Sequence, residues 1–196
     1  PYERWSIAPP RLEDIYNFED ALLVGSMLIT FLRHCDRIKI ACLAQLVNVI
    51  APIFTQTGGG IFAQTIFYPF EHLSNFGRGV ALNPIISSPK YDCKAYTDVP
   101  FLESIATFDE ENEEMTVFCV NKSMNEGMTL DVNLLDFDGY KPFEFISMDG
   151  YDKNDVNSFE NPFVKPHNNP LPEFDNKTLT AQIKPFSWNV IRLKKM

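Results

Sequence analysis

The sequence predicts a mixed fold in which a helix–strand–helix piece of an α/β domain is followed by an antiparallel β-sandwich. In the first part, apolar residues recur at helical spacing and then form a continuous apolar run over Ile38–Gln45. From Val80 onward, short β-branched and aromatic runs are separated by Pro, Asn, Asp and Gly at intervals of roughly ten residues. The two periodicities therefore divide the 196 residues into parts with different secondary structure.

A long helix is predicted over about residues 11–34, after Pro9-Pro10. Its apolar residues follow an i, i+3, i+4 pattern that gives the helix one apolar face. Glu13 and Asp14 would lie in the first turn, and Arg33 and His34 in the last turn. The helix dipole favours that arrangement of charges.

A buried strand is predicted over Ile38–Gln45, because a run that is apolar on both faces is typical of a parallel sheet. The loop that follows contains Pro52 and the three glycines Gly58–Gly60. A second helix is predicted from Gln64 to about Phe76, where Gly77 ends it.

The second part of the chain contains seven predicted strands. They are Val80–Ser87, Phe101–Phe108, Met115–Asn121, Met128–Leu135, Tyr140–Met148, Thr178–Ile183 and Trp188–Leu193. The turn residues at Glu110–Glu114, Asn125–Gly127 and Asp136–Gly139 predict hairpin connections. Asp149–Glu173, rich in Asn, Asp and Pro, is predicted to be a long excursion without strands.

Composition excludes several classes of function. The net charge of −9 argues against nucleic-acid binding, which requires clustered Lys and Arg. Neither of the two longest apolar runs, Ala21–Leu32 and Ile38–Phe54, has the ~20 apolar residues of a membrane span, so we expect no membrane insertion. The four cysteines form no Cys-x-x-Cys pair and the three histidines are scattered, so no metal site and no cofactor are expected. Cys42 and Cys119 lie in apolar runs and are interpreted as buried free thiols.

Candidates for catalysis are few. The carboxylates of Glu110–Glu114 are interpreted as a solvated hairpin tip. The acidic and amide residues of Asp149–Asn157 suggest a calcium loop, but the Gly and the terminal Glu of the usual twelve-residue loop are missing. The residues alone therefore predict an α/β piece joined to a sandwich, without a defined reaction.

Seven blocks of sequence resemble the C-terminal region of α-L-arabinofuranosidases of glycoside hydrolase family 51. They are Ala8–Leu22, Arg37–Ile53, Gln64–Phe70, Gly77–Leu82, Ser88–Asp92, Asp98–Pro100 and Ser187–Leu193. The resemblance covers nearly the whole chain in order and weakens over Asp109–Lys184. It implies that residues 1–78 are the last helix–strand–helix elements of a (β/α)8 barrel and that residues 79–196 are a jelly-roll-like β-sandwich.

The resemblance also implies the activity of the parent enzyme, a retaining exo-glycosidase that removes terminal α-L-arabinofuranosyl groups from arabinan, arabinoxylan and their oligosaccharides. Such enzymes use two carboxyl groups about 5–5.5 Å apart. In the family these belong to Glu residues in an Asn-Glu motif and an Asp-Glu-Trp-Asn motif, both upstream of the matching region. The sequence opens with Pro1-Tyr2-Glu3-Arg4-Trp5, which suggests an excised piece. We therefore expect no catalytic residue in this chain, and no activity from the chain alone.

Two short segments imitate the catalytic motifs. Asn125-Glu126 resembles the acid/base dipeptide, but it is predicted at a hairpin tip. Ser187-Trp188-Asn189-Val190 resembles the nucleophile motif, but it has Ser where Glu is required. Neither is interpreted as catalytic.

One substrate-binding residue is expected. Gln45 follows the predicted buried strand, and barrel enzymes place substrate contacts at the carboxyl ends of strands. The family has a Gln at the matching position that hydrogen-bonds the arabinofuranose in the −1 subsite; the alternative is a residue that only caps the strand. Thr55–Ile61 matches a loop over the mouth of the site, and a plain flexible connection is the alternative.

The expected partners are an arabinose-containing oligo- or polysaccharide and the missing N-terminal portion of the barrel. Without that portion, we expect either self-association or collapse of the helices onto the strand and the sandwich. A second hypothesis is that the sandwich is a carbohydrate-binding or interaction module, with stacking aromatics among Tyr140, Phe143, Phe145, Tyr151, Phe159 and Phe163. Core packing is the better explanation for most of these aromatics, because alternating strand residues must fill a core.

Overall fold

The structure, a computed structural model, describes residues 13–175 and 177–196. The first helix, α1, spans Phe18–Arg33, and the beginning of the predicted helix at residues 11–12 lies outside the described residues. The helix starts at Phe18 because Asn17 and Asp20 form a reciprocal capping box, in which each side chain accepts the other residue's backbone N–H at 3.0 and 2.9 Å. Glu13 and Asp14 therefore precede the helix, and Glu19 and Asp20 occupy its first turn.

The apolar face of α1 packs on the β-sandwich. Its buried residues are Phe18, Ala21, Leu22, Gly25, Leu28 and Ile29. Gly25 allows a close approach, since a Cβ built at this position would lie 2.7 Å from Cε3 of Trp188. The large sheet of the sandwich therefore covers the buried face of the helix.

The predicted buried strand over residues 38–45 is not formed among the residues that the structure describes. These residues have no strand pairing with the rest of the described chain, and most of them, including Cys42 and Gln45, are exposed. A strand is stable only when neighbouring backbone groups complete its hydrogen bonds, and no described segment lies alongside to do so. The apolar composition of residues 38–45 indicates that they favour burial, but it does not identify the strands with which they would pair.

A small hairpin and a second helix follow. Strands β1, Ile53–Thr55, and β2, Ile61–Ala63, pair antiparallel. Helix α2 spans Phe67–Phe76 and ends at Gly77, as predicted, but it starts three residues after the predicted Gln64. The side chains of the residues before it are engaged in hydrogen bonds to other parts of the chain, described below.

The remaining strands build the sandwich. They are β3, Val80–Leu82; β4, Lys90–Tyr91; β5, Val99–Pro100; β6, Leu102–Asp109; β7, Glu114–Asn121; β8, Met128–Asn133; β9, Tyr140–Met148; β10, His167–Asn168; β11, Glu173–Asp175; β12, Thr178–Ile183; and β13, Ser187–Lys195. All seven predicted strands exist, β9 and β12 with the predicted bounds, although β3 is shorter than expected. The predicted strandless excursion, Asp149–Glu173, carries the short β10, and its last residue begins β11.

Apart from β4 and β5, which pair with each other in a separate two-stranded sheet, the strands from β3 onward form two antiparallel sheets that face each other. The larger sheet has the order β10-β9-β13-β7-β6-β3, and the smaller has the order β11-β12-β8. A core lies between them, with Cys119, Leu179 and Ile191 fully buried at its centre. The chain is therefore mostly antiparallel β-structure, as a β-sandwich requires.

Only one of the three predicted hairpin turns joins strands paired with each other. The residues Glu110–Glu114 connect β6 to its neighbour β7. Asn125–Gly127 and Asp136–Gly139 instead lead from the large sheet to β8 in the small sheet and back again to β9. These two hairpin predictions are wrong, because turn residues mark a reversal of the chain but do not identify the strand that pairs next.

The helices form a third layer on the outer face of the large sheet. Phe18 and Ile29 of α1 share one core with Phe118, Trp188 and Val190 of the sheet. Residues on both sides of the predicted boundary after residue 78 thus belong to one core, and the boundary itself stays a prediction. The helices therefore pack on the large sheet of the sandwich and not on residues 38–45.

Arg192 connects the end of α2 to the large sheet. Its guanidinium lies 4.2 Å from the ring centre of Phe76 and 4.7 Å from that of Phe143. The same group donates to Glu114 at 2.6 Å and to Glu144 at 2.7 Å.

No helix among the described residues has the length and apolar character needed to cross a bilayer.

Candidate functional site

Gln45, the predicted substrate-binding residue, lies in an exposed segment between α1 and the hairpin of β1 and β2. Two residues further on, Val47 forms a parallel bridge with Ile53, the first residue of β1. Gln45 therefore lies two residues before Val47, which is paired to β1. Its role in sugar binding stays a prediction.

Asn48 fastens this anchored point to the hairpin. Its backbone N–H donates to the carbonyl oxygen of Ile53 at 2.9 Å, and its side-chain Oδ1 accepts the N–H of Thr55 at 2.7 Å. Its Nδ2 also donates to the hydroxyl of Thr55 at 2.9 Å. Asn48 has a φ of +65°, a left-handed conformation that Asn adopts more readily than most residues. The segment that carries Gln45 is therefore held to β1 through both backbone and side chain.

The segment Thr55–Ile61 is the tip of a paired hairpin. Phe54 and Phe62 lie opposite each other, with nearly parallel rings whose centres are 5.5 Å apart. Gly58, at the tip, has a φ of +67°, which glycine adopts at little cost. Thr55–Ile61 is therefore part of a paired hairpin and not a plain flexible connection. Its position over the mouth of the site stays a prediction.

Gln64 and Thr65 were missed as interaction residues because the sequence pattern included them in the helix. The amide of the fully buried Gln64 donates to the carbonyl oxygens of Ala51 at 2.7 Å and Asp14 at 3.0 Å, and it accepts the N–H of Tyr16 at 2.9 Å. The Thr65 hydroxyl donates to the carbonyl oxygen of Asn17 at 2.6 Å. These bonds join the hairpin to the start of α1. Their only sequence signal is two polar residues between apolar ones.

The excursion Asp149–Glu173 reaches from the sandwich to the hairpin. Asn157 is buried, and its amide donates to the carbonyl oxygens of Ala63 at 2.9 Å and Val164 at 2.8 Å while accepting the N–H of Val164. Phe159 packs edge-on against Phe62, with ring centres 4.8 Å apart. The sandwich is therefore in direct contact with both the tip and the base of the hairpin.

The residues that suggested a calcium loop take part in internal bonds. Asp149 is buried, with Lys184 at 2.7 Å, His167 at 3.4 Å and the hydroxyl of Ser147 donating to it. Asp152 accepts the N–H of Asn154 at 2.9 Å within a tight turn. Within the described ranges, no three His, Cys, Asp or Glu side chains are grouped in a way that would hold a metal ion.

The two segments that imitate catalytic motifs have other surroundings. Asn125-Glu126 is exposed at the turn after β7, on the wall of an open cleft of about 740 Å3 formed with α1 and Phe186. Trp188 is fully buried in β13, where its indole N–H donates to Nδ1 of His72 at 3.0 Å. Neither segment has the paired carboxyls that glycoside cleavage needs.

The six aromatics of the binding-module hypothesis do not form a flat exposed platform. Tyr140 and Phe145 are buried in the core, and Phe143 lies against Arg192. Phe159 and Phe163 are 36% and 39% exposed, but each packs edge-on against another ring. Sugar stacking needs an open ring face, so this arrangement favours packing over a separate binding module.

Two titratable groups of α2 have pKa values that burial shifts. Burial lowers the pKa of His72 to about 4, since the charged imidazolium is disfavoured away from water. Burial also raises the pKa of the neighbouring Glu71. His72 faces Trp188 in the shared core, so its shifted pKa is a consequence of packing between the helix layer and the sandwich.

Taken together, these features define a β-sandwich domain with an attached helical layer and a hairpin held by the sandwich. The family described as "Alpha-L-arabinofuranosidase C-terminal domain" matches residues 2–187. The chain belongs to this family. It is the C-terminal part of a larger glycoside hydrolase family 51 protein, as the resemblance implied.

Named relatives agree. The chain is 55% identical over 191 residues to an "Intracellular exo-alpha-(1->5)-L-arabinofuranosidase" of Halalkalibacterium halodurans, covering 97% of this chain and 38% of the relative. It is 52% identical over 193 residues to "Intracellular exo-alpha-(1->5)-L-arabinofuranosidase 1" of Bacillus subtilis, covering 98% and 38%. The chain thus spans well under half the length of these relatives.

The fold also matches a solved structure. A family 51 α-L-arabinofuranosidase from Bifidobacterium longum superposes with a TM-score of 0.86 at 36% identity, covering 98% of this chain and 38% of that one. Arabinofuranosidases at about 22% identity, such as that of Thermotoga maritima with a TM-score of 0.80, share the fold.

Proposed function

We propose that this chain is the C-terminal part of a retaining exo-α-L-arabinofuranosidase that removes terminal α-L-arabinofuranosyl groups from arabinan-type glycans. The observation that carries the proposal is the identity of 50–55% to three proteins named exo-α-(1→5)-L-arabinofuranosidases, each matched over 97–98% of this chain. Because those names agree, an α-(1→5)-linked arabino-oligosaccharide is the preferred substrate class. Arabinoxylan is the weaker candidate.

The two catalytic carboxyls are proposed to come from the part of the parent enzyme that precedes the matched region. In this arrangement residues 1–78 complete the (β/α)8 barrel, with 38–45 as a barrel strand paired to strands outside this chain. Three observations support it: residues 38–45 are mostly apolar and have no strand pairing among the described residues, α1 and α2 flank them in sequence, and Ile40 is 83% exposed. A surface of this kind requires a partner.

Gln45 is proposed to hydrogen-bond the arabinofuranosyl group at the carboxyl end of that strand. Its amide is exposed, and the Asn48–Thr55 contacts hold the following residues in place. A bound sugar hydroxyl would then meet both a hydrogen-bond donor and an acceptor of one exposed amide, three residues before the anchored Asn48.

Assays of two proteins test the proposal. The full-length enzyme should release arabinose from α-(1→5)-linked arabinotriose and hydrolyse an aryl α-L-arabinofuranoside. The 196-residue chain alone should hydrolyse neither, because cleavage needs two positioned carboxyls. Turnover by the chain alone would contradict the assignment of the catalytic groups, and an inactive full-length enzyme would contradict the assigned function.

A further inference from the structure

Phe159 is the contact between the sandwich and the tip of the hairpin. Its ring meets the ring of Phe62 edge-on at 84°, and a Cβ placed on Gly60 at the tip would lie 3.7 Å from its Cδ1. Phe62 in turn stacks on Phe54 of the other hairpin strand. One side chain of the sandwich thus touches both the strand and the tip of the hairpin.

The excursion holds Phe159 in place. The backbone N–H of Ser158 donates to the carbonyl oxygen of Asn161, whose own N–H donates to the Ser158 hydroxyl at 3.1 Å, and this turn presents Phe159. Just before the turn, Asn157 is bonded to Ala63 at the base of the hairpin. The excursion returns to the large sheet where His167 pairs with Ser147. Phe159 is therefore carried by a segment fixed to the sandwich on one side and to the hairpin on the other.

The hairpin itself has few other constraints at its tip. Three of the five residues from Gln56 to Gly60 are glycines, and all five are exposed. Its first strand starts at Ile53, which Val47 bridges two residues after Gln45. A shift of the tip would consequently be transmitted to the residues next to Gln45.

We propose that Phe159 is a positioning residue: it holds the hairpin of residues 53–63 in its place beside Gln45, so that the sandwich takes part in substrate binding. This inference rests on the proposed function, in which Gln45 contacts the arabinofuranosyl group. Without the Phe159 ring, the hairpin would have to become ordered when substrate binds, and that ordering opposes binding. The effect belongs to KM and not to the chemical step.

The test compares three variants of the full-length enzyme. Phe159→Ala removes the contact, Phe159→Tyr keeps the ring, and Phe163→Ala is the matched control. Phe163 lies in the same excursion with nearly the same exposure, but it packs on Tyr151 and not on the hairpin. The readouts are kcat and KM on arabinotriose, and hydrogen exchange of the peptide covering residues 53–63.

Phe159→Ala should raise KM about 2- to 10-fold, the range expected from losing one aromatic pair, with kcat changed less than about 2-fold. Hydrogen exchange of the hairpin should accelerate in this variant only, and Phe159→Tyr should restore both values. A general loss of folded enzyme would lower kcat instead. The inference is overturned if exchange and KM stay unchanged in Phe159→Ala, or if Phe163→Ala raises KM equally. An unsubstituted enzyme without activity would refute the proposed function, and hairpin exchange would then decide alone whether Phe159 holds the hairpin.

Discussion

Trp188 donates its indole N–H to Nδ1 of His72 at 3.0 Å, and the pair is buried between α2 and β13. Nδ1 can accept this bond only when it carries no proton, so the imidazole is neutral with its proton on Nε2. Desolvation acts in the same direction and lowers the pKa of His72 to about 4. The helical layer is thus joined to the sandwich through a histidine that must remain uncharged.

This arrangement predicts a pH dependence of stability. Between the ordinary pKa of about 6.5 and the folded value of about 4, the unfolded chain binds a proton that the folded chain does not. The contribution of His72 to the free energy of unfolding is therefore complete above pH 6.5 and is lost as the pH falls towards 4. The loss is on the order of 3 kcal/mol. Urea unfolding of this chain at several pH values should show His72→Gln with a smaller change over this window than the unsubstituted chain. The control is His34→Gln, which lies next to Arg37 and outside the His72–Trp188 pair and therefore leaves the contribution of His72 in place. Equal slopes for all three proteins would contradict the assignment.

The space at Gly25 predicts an unusual response to alanine. Alanine in a helix interior is normally about 1 kcal/mol more favourable than glycine. Here the added methyl would lie 2.7 and 2.9 Å from two ring carbons of the fully buried Trp188, so α1 or the indole must shift. Gly25→Ala should therefore lower the free energy of unfolding by about 1–3 kcal/mol. Gly60→Ala, whose methyl makes an ordinary 3.7 Å contact, is the control and should change it little; a stabilised Gly25→Ala would refute the packing described.

Thiol chemistry tests the correction at Cys42. Cys35, Cys42 and Cys93 are exposed, while Cys119 is fully buried and burial raises the pKa of its thiol to about 12. At protein concentrations low enough to keep the chain monomeric, a disulfide reagent at pH 8 should therefore label three thiols of the native chain rapidly and the fourth only after unfolding. Mass spectrometry of the labelled peptides identifies them. A slow Cys42 in the isolated chain would indicate that residues 38–45 are covered, contrary to the exposure seen here.

The sandwich was predictable from sequence because each strand carries its own signal. In β6 and β7 the β-branched and aromatic residues end at turn residues, so the bounds were found within one residue or two. The pairing partners were less predictable, as the connections around β8 show, since register and sheet membership depend on residues far apart in the chain. Residues 38–45 show the same limit, because an apolar run indicates burial but not the surface that provides it.

The candidate site was predictable only in part. Gln45 was singled out by the resemblance, and nothing in the amide itself distinguishes it from Gln56 or Gln64. The buried role of Gln64 depends on three backbone groups, of Asp14, Tyr16 and Ala51, that the fold brings together. The contact between Phe159 and Phe62 joins residues almost a hundred positions apart, which no local pattern reports.

The exposed segment predicts self-association of this chain. Ile40 and Leu46 are 83% and 63% exposed in an apolar stretch that has no strand pairing among the described residues. Such stretches associate with another copy when their usual partner is missing. Sedimentation velocity should show a concentration-dependent mass. Replacing Ile40 and Leu46 together by Glu should reduce the association, while Ile85→Glu, at a fully exposed isoleucine outside the segment, should not. A monomer at every concentration would contradict the prediction.

Gln45→Ala in the full-length enzyme tests the proposed role of Gln45 in substrate binding. If the amide of Gln45 hydrogen-bonds a buried sugar hydroxyl, its removal leaves that hydroxyl unpaired. The transition state should then lose about 1–3 kcal/mol of stabilisation, so that kcat/KM falls roughly 5- to 150-fold. Gln182→Ala is the control, because Gln182 bonds Thr129 on the outer surface of the small sheet. The two variants should unfold at the same urea concentration as the unsubstituted enzyme, since both side chains are exposed in this chain. If Gln45→Ala leaves kcat/KM unchanged, the arabinofuranosyl group is held by other residues, and Gln45 only ends the segment that Val47 and Asn48 anchor to the hairpin.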